Sequence, residues 1–260
     1  MDFKNLFKKD YVIGLDIGSS AAKMALFKKA EDGLHLVKAD IKELAGHSDD
    51  AHFEKEAVSA LRYLLRGIDT KKAKVIVSVD CPSTAIKKIV APYMPKAELK
   101  QGIALEAKNY FPFPIDDSML DFEILGDIVE NGIRKYDLLV AVCPINTVQK
   151  SLSILEQAGV RPSSFISSSY ALGKAAEYVG KAQELKCFMD IGSSHTELII
   201  YRGNSLVFTR KIPICGDDFT KSMTGALVSD RGRTQLTVED GEKIEKDVWI
   251  PADNDTRIID

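Results

Sequence analysis

Asp16 and Asp190 each open the same pentapeptide, Asp-Ile-Gly-Ser-Ser, and apolar runs flank both copies on either side. A carboxylate, a glycine and two hydroxyls in a strand–turn–strand suit a phosphate accompanied by a metal ion. Glycine allows close backbone approach, the turn aims N–H groups and hydroxyls at the anion, and carboxylates hold the waters of Mg2+. On this reading Asp16 and Asp190 are the metal-side carboxylates, and Gly18 and Gly192 permit the approach. Ser19, Ser20, Ser193, Ser194 and Thr196 supply hydroxyls, and Lys23 a cation. One such turn alone is ordinarily a hairpin and nothing more, with Gly taking the bend and Asp or Ser bonding back to the main chain. An exposed lysine is an equally ordinary reading of Lys23. The duplication lifts the pair above that background. Its spacing is too long for a solenoid repeat and fits two related lobes facing each other across a cleft. Hydrolysis would also need a group that orients an attacking water, and no residue declares itself for that role.

The elements that must carry these turns follow from periodicity. Residues 12–16 and 22–28 read as strands of a hairpin, and 34–42 continues the meander past Gly33. Residues 53–67 place Val58, Leu61, Leu64 and Leu65 at helical spacing, and 74–79 is a compact buried strand. A different unit begins near Cys81 and Pro82: a strand over 84–90, then a helix over 96–110 with Leu99, Ile103 and Ala107 on one face. Pro112 and Pro114 stop that helix. Strands at 119–125 and 135–143 pair around a loop from Gly126 to Gly132, and Asn146 caps a helix that Gly159 ends. Residues 81–166 thus form a small inserted βαββα unit. A helix over 168–180 and a strand over 185–190 lead into the second turn. A hairpin follows over 195–212, then a helix over 217–227, a polar loop over 229–234 and a charged helix near 237–246. Residues 251–260 carry no periodicity.

Bulk properties narrow the classes. The 260 residues suffice for two compact units, with 45% hydrophobic and 28% charged residues. A net charge of −3 gives no basic field for nucleic acid. Cysteines 81, 143, 187 and 215 are widely spaced, three of them in or beside apolar strands, and read as reduced core residues of a cytosolic protein. The four histidines show no metal-ligand spacing, and His47 and His52 read as solvated in a polar loop. No apolar run matches a membrane span and the N-terminus lacks a signal-type apolar stretch. Residues 1–9 are mildly amphipathic and basic, with Phe3, Leu6 and Phe7 expected to pack on the body rather than on a membrane surface.

Three stretches carry a family resemblance. The segment from Gly14 through Lys23, the run Lys108-Asn-Tyr-Phe-Pro-Phe-Pro-Ile-Asp-Asp with Leu120, Asp121 and Phe122, and the run Phe208-Thr-Arg-Lys-Ile-Pro with Gly216 and Asp217 are similar to the PilM family of type IV pilus assembly proteins. That family belongs to the actin-like ATPase superfamily with actin, sugar kinases, the seventy-kilodalton heat-shock chaperones and FtsA. The resemblance covers about residues 10–250. It implies an α/β, actin-like (ribonuclease H-like) two-lobe fold. Residues 1–80, with 167–182 returning, would form the first lobe, 81–166 an inserted small subdomain, and 183–260 a second lobe that looks incomplete. It implies ATP with Mg2+ in the cleft, with Gly216 among the nucleotide-binding residues, and hydrolysis weak or absent. It implies a cytoplasmic scaffold that holds the N-terminal tail of a bitopic inner-membrane partner resembling PilN and links it to the pilus motor. Membrane contact would come only through partners, and a homo-oligomer stays open. Two departures stand out: Ser167, Ser168 and Ser169 replace a Glu-Pro before the helix, and Cys215 replaces a glycine beside Gly216. An FtsA-like division protein, a small-molecule kinase of the same superfamily and the cytoplasmic part of a type II secretion protein are the other readings.

Overall fold

The computed structural model describes residues 10–44, 50–111, 113–176, 184–203, 205–229 and 232–247. The expectations for residues 1–9, His47, Pro112 and 251–260 lie outside the described residues. Two compact units are present: 1–190 with 197–211, and 191–196 with 212–260.

The first unit is built on a five-stranded sheet of order β3-β2-β1-β4-β8. Strands β1 (Tyr11–Ile17), β2 (Ala21–Ala30) and β3 (Gly33–Glu43) form an antiparallel meander, and β4 (Ala73–Val79) and β8 (Ser164–Ser167) add parallel to β1. Parallel additions need crossovers, and helices α1 (Asp50–Leu64) and α3 (Ile145–Gln157) supply them. Alternation along the strands sends Ile13, Leu15, Met24, Leu26, Val75 and Val77 to one face, where they are buried against Ala57, Val58, Leu61 and Leu64 of α1. Ile154 and Leu155 of α3 join the same core, although sequence grouped that helix with the inserted unit. The helical spacing read in the sequence is thus the face that buries.

Between β4 and α3 lie β5 (Ala85–Pro92), α2 (Lys96–Ala107), β6 (Ser118–Glu130) and β7 (Ile133–Pro144), a three-stranded sheet of order β5-β7-β6 with its own core. Leu99, Ile103 and Ala107 of α2 pack on Ile89, Leu138, Val140 and Val142, with Phe111 and Ile115 closing the end. The opposite face packs Ile86 and Leu139 against Ile199, Tyr201 and Leu206. These come from a second three-stranded sheet, β11-β10-β9, made of β9 (Leu185–Ile191), β10 (Thr196–Arg202) and β11 (Ser205–Ile212). Helix α4 (Ser168–Ala176) links β8 toward it.

Four local expectations need correction. Gly126 is not in a loop: it sits inside β6, where the register to β7 shifts between Ile124 and Gly126. A bulge, not a turn, uses that glycine. The β6–β7 turn falls on Asn131 and Gly132, both with positive φ (52° and 77°), the requirement of a tight two-residue hairpin. Asn146 is not the cap of α3; Pro144 is, and Asn146 lies in the first turn. The helix after Gly216 ends early: α5 spans Gly216–Met223, and β12 (Gly225–Ser229) pairs antiparallel with β13 (Gly232–Leu236) where a helix end and a loop were expected. Helix α6 (Val238–Asp247) follows. The Thr237 N–H and hydroxyl donate to the Asp240 carboxylate at 2.9 and 2.8 Å, and Asp240 N–H returns a bond to Thr237 Oγ1 at 3.2 Å, a reciprocal cap.

Candidate functional site

The duplicated pentapeptide is duplicated in geometry. Gly18 N–H donates to the Ala21 carbonyl at 3.0 Å, and Gly192 N–H donates to the His195 carbonyl at 3.1 Å. Each turn is closed by the same bond from the glycine to the residue three positions on. Neither glycine leaves room: a Cβ would stand 3.1 Å from Ala21 O at Gly18, and 3.0 Å from His195 O at Gly192. Both turns are therefore tight glycine cradles walled by main chain, where a side chain would crowd a carbonyl.

Around the first turn, register places Asp16 directly opposite Lys23, and the lysine ammonium pairs with one carboxylate oxygen at 3.3 Å. Both side chains stay partly exposed, at 39% and 58%, so the pair is solvent-screened and available to a ligand. They lie along a groove of about 650 Å³ on the sheet face opposite the first core, with Gly14, Ala25, Ser78 and Ile166 among its walls. Ser19 and Ser20 occupy the bend itself.

In the second unit the turn is held from outside. Gly216 N–H donates to Gly192 O at 2.9 Å and Asp217 N–H to Ser193 O at 3.2 Å, so the first residues of α5 grip the turn's carbonyls. This brings Gly216 onto the turn. Thr196 is buried, and its hydroxyl donates to Ile214 O at 2.6 Å. That hydroxyl fastens the segment before α5. Ser194 Oγ lies 3.1 Å from His195 Nδ1. The Cys215 N–H donates to the Asp218 carboxylate at 3.0 Å and its thiol does so at 3.1 Å. The thiol's bond, then the backbone one, holds the Asp218 carboxyl below its ordinary value, while burial pushes the Cys215 thiol up. Asp190, in the first unit, is exposed at the end of β9.

One buried carboxylate escaped sequence reasoning. Glu197 is 3% exposed on β10 and accepts hydrogen bonds from Ser168 Oγ at 3.0 Å and, more tightly, from Ser169 Oγ. The serines that stand where a Glu-Pro was expected thus meet a carboxylate from another strand. A buried carboxylate needs such partners. A Glu near the start of an apolar strand was the available signal; its partners, far away in sequence, were not readable.

Among the described residues, no group of three or more His, Cys, Asp or Glu side chains is arranged to hold a metal ion by itself. Mg2+ ordinarily takes one or two carboxylates and completes its shell with water and substrate phosphates, so carboxylates beside glycine cradles fit it without such a cluster. No described helix is long and apolar enough to cross a membrane. The four cysteines are free; Cys143 and Cys215 are buried and Cys81 half-buried, but Cys187 is exposed, against the expectation of a core residue.

Known structures resemble the chain. A type IV pilus biogenesis complex of PilM with PilN aligns with a TM-score of 0.72 at 23% identity, covering 91% of this chain and 69% of that one. The ethanolamine utilization protein EutJ from Carboxydothermus hydrogenoformans aligns with a TM-score of 0.48 at 13% identity, over 91% of this chain and 61% of that one. The cytoplasmic domain of EpsL, an inner-membrane component of the type II secretion system of Vibrio cholerae, aligns with a TM-score of 0.48 at 12% identity, over 78% and 71%. The fold is actin-like, as the sequence led us to expect. The family described as type IV pilus assembly protein PilM matches residues 14–259, and the chain belongs to that family.

Proposed function

We propose that this chain is an actin-like nucleotide-binding scaffold of a type IV pilus assembly machine, cytoplasmic and peripheral to the inner membrane through its partners. The observation that carries this is the paired glycine cradle, closed by the same bond in both copies, within a chain of the PilM family. In this reading ATP is the ligand, and Mg2+ beside Asp16 and Asp190 offsets phosphate charge. Ser19, Ser20, Ser193 and Ser194 offer donors, and Lys23 exchanges its ion pair with Asp16 for a phosphate. Residues 1–80 with 167–182, 81–166 and 183–260 are read as the first lobe, the inserted subdomain and the second lobe, with α3 and β8 of the middle span packing on the first core. Bound nucleotide would favour one arrangement of these parts by binding it more tightly. The partner would be the N-terminal tail of a bitopic inner-membrane protein of the PilN kind, linked onward to the pilus motor. A PilM–PilN complex among the similar structures supports that choice of partner.

Two measurements test this. Titration of a fluorescent ATP analogue with Mg2+ should show saturable binding that Asp16→Ala and Asp190→Ala each weaken at least tenfold. Equal affinity in all three proteins removes the assignment of both carboxylates. Capture from detergent-solubilised membranes should recover a single-pass protein with a short N-terminal cytoplasmic tail, together with motor components. A robust steady ATPase rate with no membrane partner would instead favour a kinase of the same superfamily.

A further inference from the structure

Two chain crossings join the inserted sheet to the first core, and each carries a cysteine. Residues 80–84 run from β4 to β5 and hold Cys81; β7 runs into α3 at residues 143–145 and holds Cys143. Thr84 N–H donates to Cys81 O at 2.9 Å, making Cys81 and Thr84 the ends of a tight turn. The β5–β7 register pairs Ala85 with Val142, which sets Thr84 opposite Cys143. One threonine hydroxyl then touches both thiols: Thr84 Oγ1 lies 3.3 Å from Cys81 Sγ and 3.3 Å from Cys143 Sγ. The two sulfurs are no further apart than twice that distance. Thr147 Oγ1 adds a contact to Cys81 Sγ at 3.5 Å, and Lys211 pairs with Asp80 while donating to Cys81 O at 2.5 Å. The fixed turn, the strand register and this ion pair hold both crossings in place.

We propose that Cys81 and Cys143 form an oxidation site, a thiol pair that a hydroperoxide converts to a disulfide clamping both crossings of the inserted subdomain. The geometry divides the labour. Cys81 is half-buried and meets the oxidant; Cys143 is 8% exposed, and burial pushes its thiol up, so it stays protonated until needed. The Cys81 sulfur, having lost its proton, attacks one peroxide oxygen. The O–O bond breaks, the second oxygen leaves as water with that proton, and Cys81 carries a sulfenic acid. The Cys143 sulfur then attacks the sulfenic sulfur. The S–S bond forms, the S–O bond breaks, and the hydroxide leaves as water with the Cys143 proton. With hydrogen peroxide, two thiols and one peroxide become one disulfide and two waters. Rotation of the Thr84 and cysteine side chains must bring the sulfurs into bonding distance. The bridge closes a loop containing β5, α2, β6 and all of β7 but its last two residues, so it fixes how the inserted subdomain is tethered whether or not nucleotide binds. Cys187 lies exposed on β9, and Cys215 is engaged by Asp218 in the other unit.

The test treats the full chain with graded hydrogen peroxide, quenches with an alkylating agent and reads intact mass and peptide map. Expected are a loss of two hydrogens, protection of Cys81 and Cys143 together, a linked peptide joining them, and reversal by dithiothreitol. In Cys143→Ala the Cys81 sulfenic acid should instead accumulate and be trapped by dimedone. Over-oxidation of Cys81 without a linked peptide, both thiols remaining open to alkylation, or a bridge through Cys187 would each overturn the proposal. Unlabelled Cys81 in a folded Cys143→Ala variant would do the same.

Discussion

The two Asp-Ile-Gly-Ser-Ser turns share one closing hydrogen bond and differ in what holds them. The first is held within its own meander: its hairpin belongs to a five-stranded sheet, register fixes Asp16 against Lys23, Leu44 N–H just past β3 donates to Ser20 O at 2.9 Å, and the buried face beneath it carries Ile13 and Leu15. The second is borrowed: its carbonyls are satisfied by the N–H groups of Gly216 and Asp217, and Thr196 anchors to Ile214. A turn supported by its own strands keeps its shape whatever follows in the chain. One supported by a helix N-terminus transmits any shift of that helix to the cradle. Duplicated sequence has therefore produced one cradle held by its own sheet and one held by a helix N-terminus.

The largest expected effect comes from filling the cradles. Gly192→Val should cost about 2–3 kcal/mol, because the side chain meets His195 O and displaces carbonyls that two α5 donors require. Gly18→Val should cost about 1–2 kcal/mol, since only the closing bond is crowded. Urea unfolding of both variants measures the difference; equal costs would mean that α5 does not support the second turn. Nucleotide titration should show loss in both, worse than in Ser19→Ala.

Next in size is the buried carboxylate. Glu197→Ala should destabilise by about 2–3 kcal/mol, leaving two serine hydroxyls facing a void. Glu197→Gln, which keeps an acceptor and the volume, should recover at least half of that. If Gln is as damaging as Ala, the negative charge itself holds the two serines. Against this, Lys23→Ala should change stability by no more than about 0.5 kcal/mol, because its ion pair is exposed. Its effect belongs in nucleotide affinity. A Lys23→Ala protein that binds nucleotide normally would make the lysine an ordinary surface residue.

The contrast also explains what sequence could reveal. Elements with a single strong period were legible: β1, β2, β4 and α1 alternate or repeat so that Ile13, Leu15, Val75, Val77, Leu61 and Leu64 fall on one face. The glycine cradles were legible because they recur. Features fixed by distant partners were not. Glu197 depends on serines 28 and 29 positions away, and the hydroxyl shared by Cys81 and Cys143 depends on strand register. Gly126 looked like a turn because a bulge and a turn both prefer glycine, and the true turn at Asn131 and Gly132 lay a few residues on. Residues 225–228, Gly-Ala-Leu-Val, extend a helical pattern as well as they start a strand, so their pairing with β13 was invisible locally.

The finest distinction concerns acid. Asp218, at the start of α5, is held below the ordinary aspartate value by the Cys215 thiol and then its N–H, and Asp240 is held low by the backbone and hydroxyl of Thr237. A carboxyl depressed in the folded state stabilises fully above its unfolded value, near 3.9, and that contribution disappears as pH falls through the folded value. The part of the protein that borrows its support should therefore soften first in acid, through α5, while the first turn, whose hairpin has no such cap, holds. Melting temperature followed from about pH 7 to about pH 2.5 should fall less steeply below about pH 4 in Asp218→Asn than in the wild type. Hydrogen exchange at Gly192 and Ser193 should accelerate in that range before exchange at Gly18 does. Parallel melting curves, or earlier exchange at Gly18, would show that α5 does not govern the second cradle.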